Sequence, residues 1–348
     1  MSGDIVSVEK ALNSRCSSDH GPKKSHFGTF TKKRPSEETI DNILNCLSIP
    51  GFSDGKLLHW FENDYLYLGF ENPRHPHRER VLHLESGMQH EAVYLACAAE
   101  GVGTCIHNQG INGTSYEKKT ATARHLIMEI TDPYERGKFT TEAPGPEKPF
   151  VSGKNLTNPY RDGEIDCRSQ MSKLATSSKT GSQATEKDTS QLLWAARGRT
   201  PHYIKTDRWK FFSGITIPTW GGIQNCTSVY LAKNKKLYSY VNWTKEFSLM
   251  NRAFGEKLGW TRGNPTHEIR FMKNVNIDSQ MDGHEETIFL CQNEQTGRAL
   301  WEIGYMLENM LLQAKSLNIS YETKVFSLDK TSQPNEIEVA NAVAAVLI

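Results

Sequence analysis

The sequence lacks the features that define membrane, disulfide-rich and nucleic-acid-binding proteins. No apolar run approaches the roughly 20 residues that span a bilayer, and the first residues, MSGDIVSVEK, lack a signal-peptide core. The seven cysteines form no C-x-x-C pair, which argues against a disulfide framework and against a structural zinc site. With 41 basic and 40 acidic side chains, the net charge of +1 gives no electrostatic reason to bind nucleic acid or an anionic membrane. We therefore expect a cytoplasmic protein.

What the chain does contain is one helix pattern that occurs twice. ESGMQHEAVYLACAAEGVGT (85–104) and EIGYMLENMLLQAKSLNIS (302–320) align without a gap at a constant offset (302 − 85 = 217). Glu, Gly, Glu and Leu recur at matching positions, and a strand-like segment, YLYLGFEN or TIFLCQN, precedes each copy. Amphipathic helices can align by chance, but the shared context favours a duplicated unit. Only the first copy ends in Gly-Val-Gly-Thr.

The remaining patterns predict alternating helices and strands, and therefore an α+β or α/β chain with long helices packed against sheets. Helices are predicted in SEETIDNILNCL, with Ser36 as N-cap, and in TSQLLWAARG and EFSLMNRAFGEKLG. From about residue 134 the composition shifts to Pro, Gly, Ser, Thr and Lys, which is typical of a junction. The predicted division is a disordered tail (1–25), a first half (26–133), a linker (134–187) and a second half (188–348).

A basic segment, TKKRP, stands just before the first predicted helix. Its three cations, Lys32, Lys33 and Arg34, could bind a phosphate with the help of the helix dipole. A solvated basic tail is the alternative reading.

A glycine turn, GVGTC, closes the first copy of the repeated helix. Its residues Gly101, Gly103 and Thr104 could bring backbone N–H groups close to a phosphate. The alternative is an ordinary glycine C-cap.

A third segment, IPTWGGIQNC, could lie against a flat ligand. Its proline presets the backbone, its glycines allow a close turn, and its Gln and Asn side chains offer donors and acceptors. An ordinary glycine-rich loop is equally compatible with the pattern. The candidate residues are Pro218, Thr219, Gly221, Gly222, Gln224 and Asn225.

Together these segments resemble the nitroreductase family of flavoproteins, most closely the SagB-type dehydrogenases that oxidise azoline heterocycles in modified peptides. QLLWAARG is similar to that group's LLWAA.G helix, and PTWGGIQNC to the P-S-x-G-x-L-Q-P-W segment. KLYSYV resembles the G-L-Y-x-Y strand, and the second long helix the E-A-G-H-x-x-Q-N-L-L-L helix. The resemblance covers most of residues 187–330 and patches of 26–130, with substitutions in every segment.

The resemblance implies tandem nitroreductase-like halves that form a pseudo-dimer with antiparallel-rich sheets and long helices. In such families FMN lies at a dimer interface, where a basic segment and a glycine turn grip its phosphate. The segment Pro218–Asn225 would flank the isoalloxazine ring from the other half, and Tyr238, or Tyr240, could relay a proton. Because the second half lacks the basic segment and the glycine turn, one composite site with one FMN is predicted.

The sequence thus predicts an FMN-dependent oxidoreductase that needs no metal. An azoline-bearing peptide, a quinone or a nitroaromatic would suit as substrate, and partner enzymes of peptide modification are expected with the peptide reading. Self-association of the chain is left open. The rival hypothesis is a flavin-free scaffold or binding partner in a peptide-modifying complex, which the many substitutions at motif positions support.

Overall fold

A computed structural model gives the architecture of most of the chain. It describes residues 5–15, 29–53, 56–62, 64–70, 76–107, 115–116, 119–131, 153–200, 203–205, 210–212, 215–218, 226–243, 265–275, 284–293, 296–326 and 341–348. The helices in these ranges are α1 (Val8–Ser14), α2 (Glu37–Asn45), α3 (Pro76–Glu100), α4 (Cys167–Met171), α5 (Glu186–Arg197) and α6 (Gly297–Ser316).

The strands fall into two groups along the chain. The earlier group is β1 (Thr29–Phe30), β2 (Leu57–Glu62), β3 (Tyr65–Phe70), β4 (Gly103–His107), β5 (Ser115–Tyr116), β6 (Lys119–Met128) and β7 (Ile130–Thr131). The later group is β8 (Gly153–Asn155), β9 (Ser177–Ser178), β10 (Tyr203–Lys205), β11 (Lys210–Phe212), β12 (Thr227–Lys233), β13 (Lys236–Trp243), β14 (Pro265–Asn274), β15 (Glu286–Gln292), β16 (Tyr321–Val325) and β17 (Ala342–Leu347).

Two antiparallel sheets share one topology. The first has the order β2-β3-β6-β4, with β5 beside β6, and the second has the order β8-β14-β13-β12-β15-β17-β16-β9. Within the second sheet, the run β12-β15-β17-β16 repeats the order of the first, and a long helix follows the second strand of each run. The hairpin β13–β14 is an insertion in the second copy. The predicted α+β fold with tandem halves is confirmed.

The two long helices, α3 and α6, cross at the glycines that the offset of 217 residues pairs. A Cβ on Gly304 would lie 2.9 Å from Gly87 Cα and 2.8 Å from Met88 N, and a Cβ on Gly87 would lie 2.8 Å from Trp301 Cα. The same Gly304 Cβ would also meet the carbonyl of Leu84, which the offset pairs with Trp301. Such reciprocal contacts are the signature of a twofold interface, here within one chain.

The first predicted helix begins after its predicted N-cap, whereas α5 begins at Glu186, three residues before the predicted TSQLLWAARG, and α3 begins at Pro76, nine residues before the predicted start at Glu85. Ser36 caps α2 by accepting from Thr39 N, and Thr185 and Asp188 form a capping box at α5. Between β12 and β13, Asn234 and Lys235 both adopt positive φ (52° and 57°), as a tight hairpin turn requires.

Two predicted boundaries are wrong in part. The tail 1–25 contains α1, whose Val8, Ala11 and Leu12 are buried in one stripe. From Gly153 onward the predicted linker is built into the fold, because β8 pairs with β14, β9 pairs with β16, and α4 packs against α3 and α6. These elements are two to five residues long, so their stability comes from tertiary pairing that no local period reveals.

The predicted helix EFSLMNRAFGEKLG lies outside the described residues, as do residues 132–152. Among the helices that the structure does describe, none combines the length and the apolar character that a membrane crossing needs.

Candidate functional site

The turn after α3 has the same geometry as the turn after α6. Gly101 and Asn318, its mate at the offset of 217, both adopt positive φ (69° and 52°). Val102 N donates to Cys97 O at 3.0 Å, and Ile319 N donates to Ala314 O at 3.2 Å. The expectation that the second copy had lost this turn is therefore wrong, because asparagine tolerates the left-handed conformation. A C-cap accounts for the conformation of Gly101.

The basic segment and the strand that follows the glycine turn both hydrogen-bond to the end of β6. Gly103 is the register partner of Met128, one residue before Glu129. Glu129 N donates to Lys33 O, and Thr31 N donates to Glu129 O, both at 2.9 Å. The segment that carries the cations therefore runs alongside the strand end that pairs with the turn.

The side chains of this phosphate-side group differ in availability. Lys32 and Lys33 are exposed. Arg34 lies 3.1 Å from Glu37 and 4.9 Å from the centroid of the Phe61 ring. A Cβ at Gly101 would meet nothing within 4 Å, so the outer face of the turn is open. Two ammonium groups and an open backbone turn therefore fit a phosphate, whereas Arg34 would first have to leave Glu37.

Thr104 faces inward, onto a buried histidine pair that the sequence analysis missed. Its Oγ1 lies 3.1 Å from His125 Nδ1, and His125 Nε2 lies 2.9 Å from His90 Nδ1. Burial lowers the pKa of His90 to about 3 and that of His125 well below its usual value, so both rings are neutral. The side chain of Thr104 thus holds β4 against the core.

Of the segment predicted to flank the flavin ring, the structure describes Pro218, which is half-buried. Residues 219 to 225 lie outside the described part, and with them the predicted site residues Thr219, Gly221, Gly222, Gln224 and Asn225. The backbone just before Pro218 is held by Arg15, which donates from Nε to Thr216 O and from Nη2 to Ile215 O, both at 2.9 Å. Asn309 donates to the same Thr216 carbonyl at 2.9 Å. The entry to the ring-side segment is therefore fixed at the helix crossing.

A buried carboxyl pair lies beside this entry. Glu91 and Glu308, mates at the offset of 217, are 0% and 1% exposed. Burial raises the pKa of Glu91 to about 7, although the nearby positive charge of Arg15 lowers it. Burial, and then the charge of Glu91, raise the pKa of Glu308 well above its usual value. Burial therefore favours the uncharged form of both carboxyls, and Glu91 titrates near neutrality.

A second pair of mates holds the loops that precede the first strand of each half. Glu85 accepts from Phe52 N at 2.6 Å and from Ser53 N at 2.7 Å. Glu302 accepts from Thr227 Oγ1 at 3.0 Å. Each long helix thus uses a carboxylate at the same position to anchor the chain that enters its own sheet.

The two strand tyrosines occupy different surroundings. Tyr238 is half-buried, with its ring edge-on to Phe271 at 6.1 Å. Tyr240 is buried, and its hydroxyl lies 2.8 Å from His267 Nδ1. On its other side, His267 Nε2 lies 2.9 Å from Ser190 Oγ. The hydroxyl of Tyr240 is committed to a buried hydrogen-bond chain, and the role of Tyr238 stays a prediction.

The described residues contain no group of three or more His, Cys, Asp or Glu side chains that could hold a metal ion. These residues assemble a central crossing of two helices, an open turn after α3 and a loop entry at residues 215–216 that Arg15 and Asn309 hold.

Comparison with known proteins gives the class of fold. No family profile matches the chain, and no characterised protein aligns with it by sequence. A candidate nitroreductase from Anabaena variabilis ATCC 29413 superposes with a TM-score of 0.50 at 11% identity, covering 81% of this chain and 68% of that one. The chain therefore has a nitroreductase-like fold.

Two further candidate nitroreductases align with lower scores. The protein from Ralstonia eutropha JMP134 has a TM-score of 0.39 at 17% identity, covering 60% of this chain and 89% of that one. The protein from Thermotoga maritima MSB8 has a TM-score of 0.44 at 10% identity, covering 100% of this chain and 96% of that one.

Proposed function

We propose that this protein is an FMN-dependent oxidoreductase of the nitroreductase type with one composite flavin site. The observation that carries the proposal is the nitroreductase-like fold with both halves in one chain, crossing at Gly87 and Gly304. Because both halves belong to one chain, the interface at which such folds bind flavin would lie within this chain. FMN, when bound, supplies the hydride chemistry.

The chain's own residues would divide the work of holding FMN. Lys32 and Lys33 are exposed cations that would bind the phosphate, with the open outer face of Gly101 as a second contact. Pro218–Asn225 would flank the ring, with its entry held by Arg15. Tyr238 would hold a proton for the substrate; its replacement by Phe should slow turnover while leaving the FMN dissociation constant unchanged.

The substrate class we propose is a small group that exchanges a hydride with the flavin: a nitroaromatic or a quinone that accepts it, or an azoline ring in a modified peptide that yields it and so also requires an electron acceptor such as dioxygen. The hypothesis of an azoline substrate implies peptide-modifying enzymes as partners. It rests on the resemblance of KLYSYV and the second long helix to SagB-type sequences. Turnover of each compound by the flavin-loaded protein, with NADH or NADPH as donor where a reductant is needed, would separate the three.

The test of the flavin site is titration of the purified chain with FMN, followed by flavin fluorescence and absorbance, with the bound stoichiometry measured after desalting. One FMN per chain is expected. Lys33→Glu should weaken binding by roughly tenfold or more, because it replaces an attraction to the phosphate with a repulsion. The matched control is Lys179→Glu, the same charge change at an exposed lysine just after β9, which should bind as the wild type does. Two flavins per chain, or equal weakening by both variants, would contradict the composite site.

A second candidate function, a flavin-free scaffold, has one observation in its favour. Arg34 pairs with Glu37, and the hydroxyl of Thr104 is committed to His125, so two of the predicted phosphate ligands are engaged within the chain. A preparation that stays colourless after incubation with FMN and desalting, and that shows no fluorescence quenching, would establish this alternative.

A further inference from the structure

The outer face of the first sheet carries a row of four side chains, the aromatic row, with one residue from each of four neighbouring strands. Cross-strand register aligns Trp60 (β2), Tyr67 (β3), Arg124 (β6) and His107 (β4). All four side chains are half-buried. The next residue along β6, His125, packs against α3. Because adjacent residues of a strand point to opposite faces of the sheet, the aromatic row faces away from α3.

The rings of this face hold one another and the guanidinium in place. The rings of Trp60 and Tyr67 are parallel, at an interplanar angle of 4°, with centroids 5.3 Å apart. Arg124 donates from Nη1 to the Tyr67 hydroxyl at 3.3 Å, and its guanidinium lies 4.2 Å from the centroid of the Tyr65 ring. Tyr65 in turn lies edge-on to His107, with centroids 6.1 Å apart. The position of the charge relative to the rings is therefore fixed before any ligand binds.

The charge of Arg124 has no carboxylate partner among the described residues. Its side-chain contacts there are neutral, a tyrosine hydroxyl and a tyrosine ring, and its Nε is buried without a hydrogen-bond partner. A cation that is partly withdrawn from water is stabilised by a carboxylate, which a guanidinium can bind through two parallel hydrogen bonds. The aromatic row therefore offers a fixed cation to an anion from outside the chain.

The equivalent row of the second sheet has a different composition. On the equivalent strands, in the same order, register aligns Tyr230, Phe289, Ala345 and Lys324. Phe289 and Ala345 are 0% and 1% exposed and belong to an apolar cluster. The two sheets thus differ on their outer faces. The second is closed by apolar packing, whereas the first presents Trp, Tyr and Arg, the side chains that are enriched at interaction hot spots.

We propose that the aromatic row binds a peptide segment of a partner protein in which an aromatic side chain stands two positions from a carboxylate. Neighbouring strands are about 4.8 Å apart, so Arg124 lies roughly 7 Å from the middle of the Trp60–Tyr67 pair. Residues i and i+2 of an extended peptide point to the same side and are also about 7 Å apart. One side chain of the peptide then contacts the rings while the other pairs with the guanidinium.

A peptide fits the aromatic row better than a nucleic acid or a second copy of the chain. Single-stranded nucleic acid carries a phosphate at every nucleotide, whereas the row has one guanidinium and the chain a net charge of only +1. A symmetric pairing of two copies through this face would bring two Arg124 side chains into one interface, where like charges repel each other.

The experiment titrates the flavin-free full chain with two acetylated and amidated peptides, Asp-Ser-Phe-Ser-Asp and Asn-Ser-Phe-Ser-Asn. The acid stands on both sides of the ring, so the direction in which the peptide lies does not matter. NMR follows the indole N–H of Trp60 and the Nε–H of Arg124. The Asp peptide should shift both signals, and the Asn peptide should bind roughly tenfold more weakly because it lacks the charge. Equal binding of the two peptides, shifts confined to other residues, or no binding would overturn the proposal.

Two variants test the role of the guanidinium. Arg124→Gln should weaken binding of the Asp peptide roughly tenfold and remove its advantage over the Asn peptide. Lys324→Gln, which removes the cation of the equivalent row in the second sheet, should bind both peptides as the wild type does. Equal weakening by both variants would show a general effect of charge and would contradict the proposal. If Arg124→Gln does not fold, the comparison of the two peptides on the wild type still decides the question.

The other two occupants are tested directly. A dimer of the wild type that Arg124→Gln dissociates in sedimentation would mean that a second copy occupies the aromatic row. Tighter binding of an oligothymidylate than of the Asp peptide, with shifts of the same two signals, would mean that the row binds nucleic acid. Either result would overturn the peptide proposal. Because no step involves flavin, the outcome does not depend on whether the chain binds FMN.

Discussion

At the scale of single residues, the chain uses glycine for two separate physical reasons. Gly101 provides a left-handed backbone conformation, φ 69°, in a turn whose outer face is open. Gly87 and Gly304 instead provide close approach, because their missing side chains let two helix backbones touch. The first need can be met by another residue, as Asn318 shows. The second cannot, since any Cβ would enter the facing backbone.

The residue-scale prediction is therefore that Gly101→Asn changes the free energy of unfolding by less than about 1 kcal/mol, whereas Gly101→Val lowers it by about 1–2 kcal/mol. Urea unfolding measures both, and Asn318→Gly is the matched control at the equivalent turn. The FMN content per folded chain should stay constant, because the cap explains the glycine. A loss of flavin in Gly101→Asn with stability intact would show that a phosphate needs the bare backbone of this turn.

At the scale of elements, the crossing of α3 and α6 joins the two halves. Gly304→Ala should lower the free energy of unfolding by about 1–3 kcal/mol or more, because the added methyl would lie 2.8 Å from Met88 N and force the helices apart. Gly297→Ala is the matched control in the same helix, since its Cβ would lie 3.9 Å from the nearest His83 atoms. It should leave stability equal or slightly higher. Unchanged or raised stability in Gly304→Ala would show that helix propensity, and not the crossing, decides the result.

The elements that could be predicted from sequence are those whose signal is local. Helix α2, which Ser36 caps, follows a 3.6-residue period, and the turn at Asn234 lies between two strands of alternating pattern. The short elements α1, α4, β8 and β9 were not predicted, because their stability comes from contacts with residues far along the chain. The contact between Arg15 and Thr216 could not be predicted for the same reason, because 201 residues of sequence separate the two. The duplication could be recognised in the sequence only because the equivalent residues of the two copies keep a constant offset.

At the scale of the whole molecule, the two halves are interlocked and not merely adjacent. The N-terminal helix α1 packs against both α3 and α6. Gln313 of α6 donates to Glu9 Oε1 at 2.7 Å, and Ser316 donates to the same oxygen at 2.7 Å. These contacts place titratable groups deep inside a shared core. The stability of the whole chain should therefore depend on pH in a way that surface charges alone would not produce.

The thermal midpoint should have its maximum near pH 7, with a decrease on either side. Below about pH 6.5 the histidines of the unfolded chain bind protons, whereas three buried histidines of the fold do not. Burial lowers the pKa of His90 and of His267 to about 3, and that of His125 well below its usual value. These protons, with the one on His59, whose pKa burial also lowers, outnumber those that Glu91, Glu302 and Glu308 retain in the fold through raised pKa values, so stability falls with decreasing pH. Above pH 7 the histidines no longer differ between the two states, and the carboxyls whose pKa burial raises make stability fall with increasing pH, by about 1.4 kcal/mol per pH unit for each proton that the fold retains. Scanning calorimetry from pH 5 to pH 9 measures this curve, with His90→Phe expected to flatten the acid side and Glu308→Gln the alkaline side. A midpoint that rises steadily from pH 7 down to pH 5 would mean that the histidines take up protons in the fold, and that the core is wetter than its packing indicates.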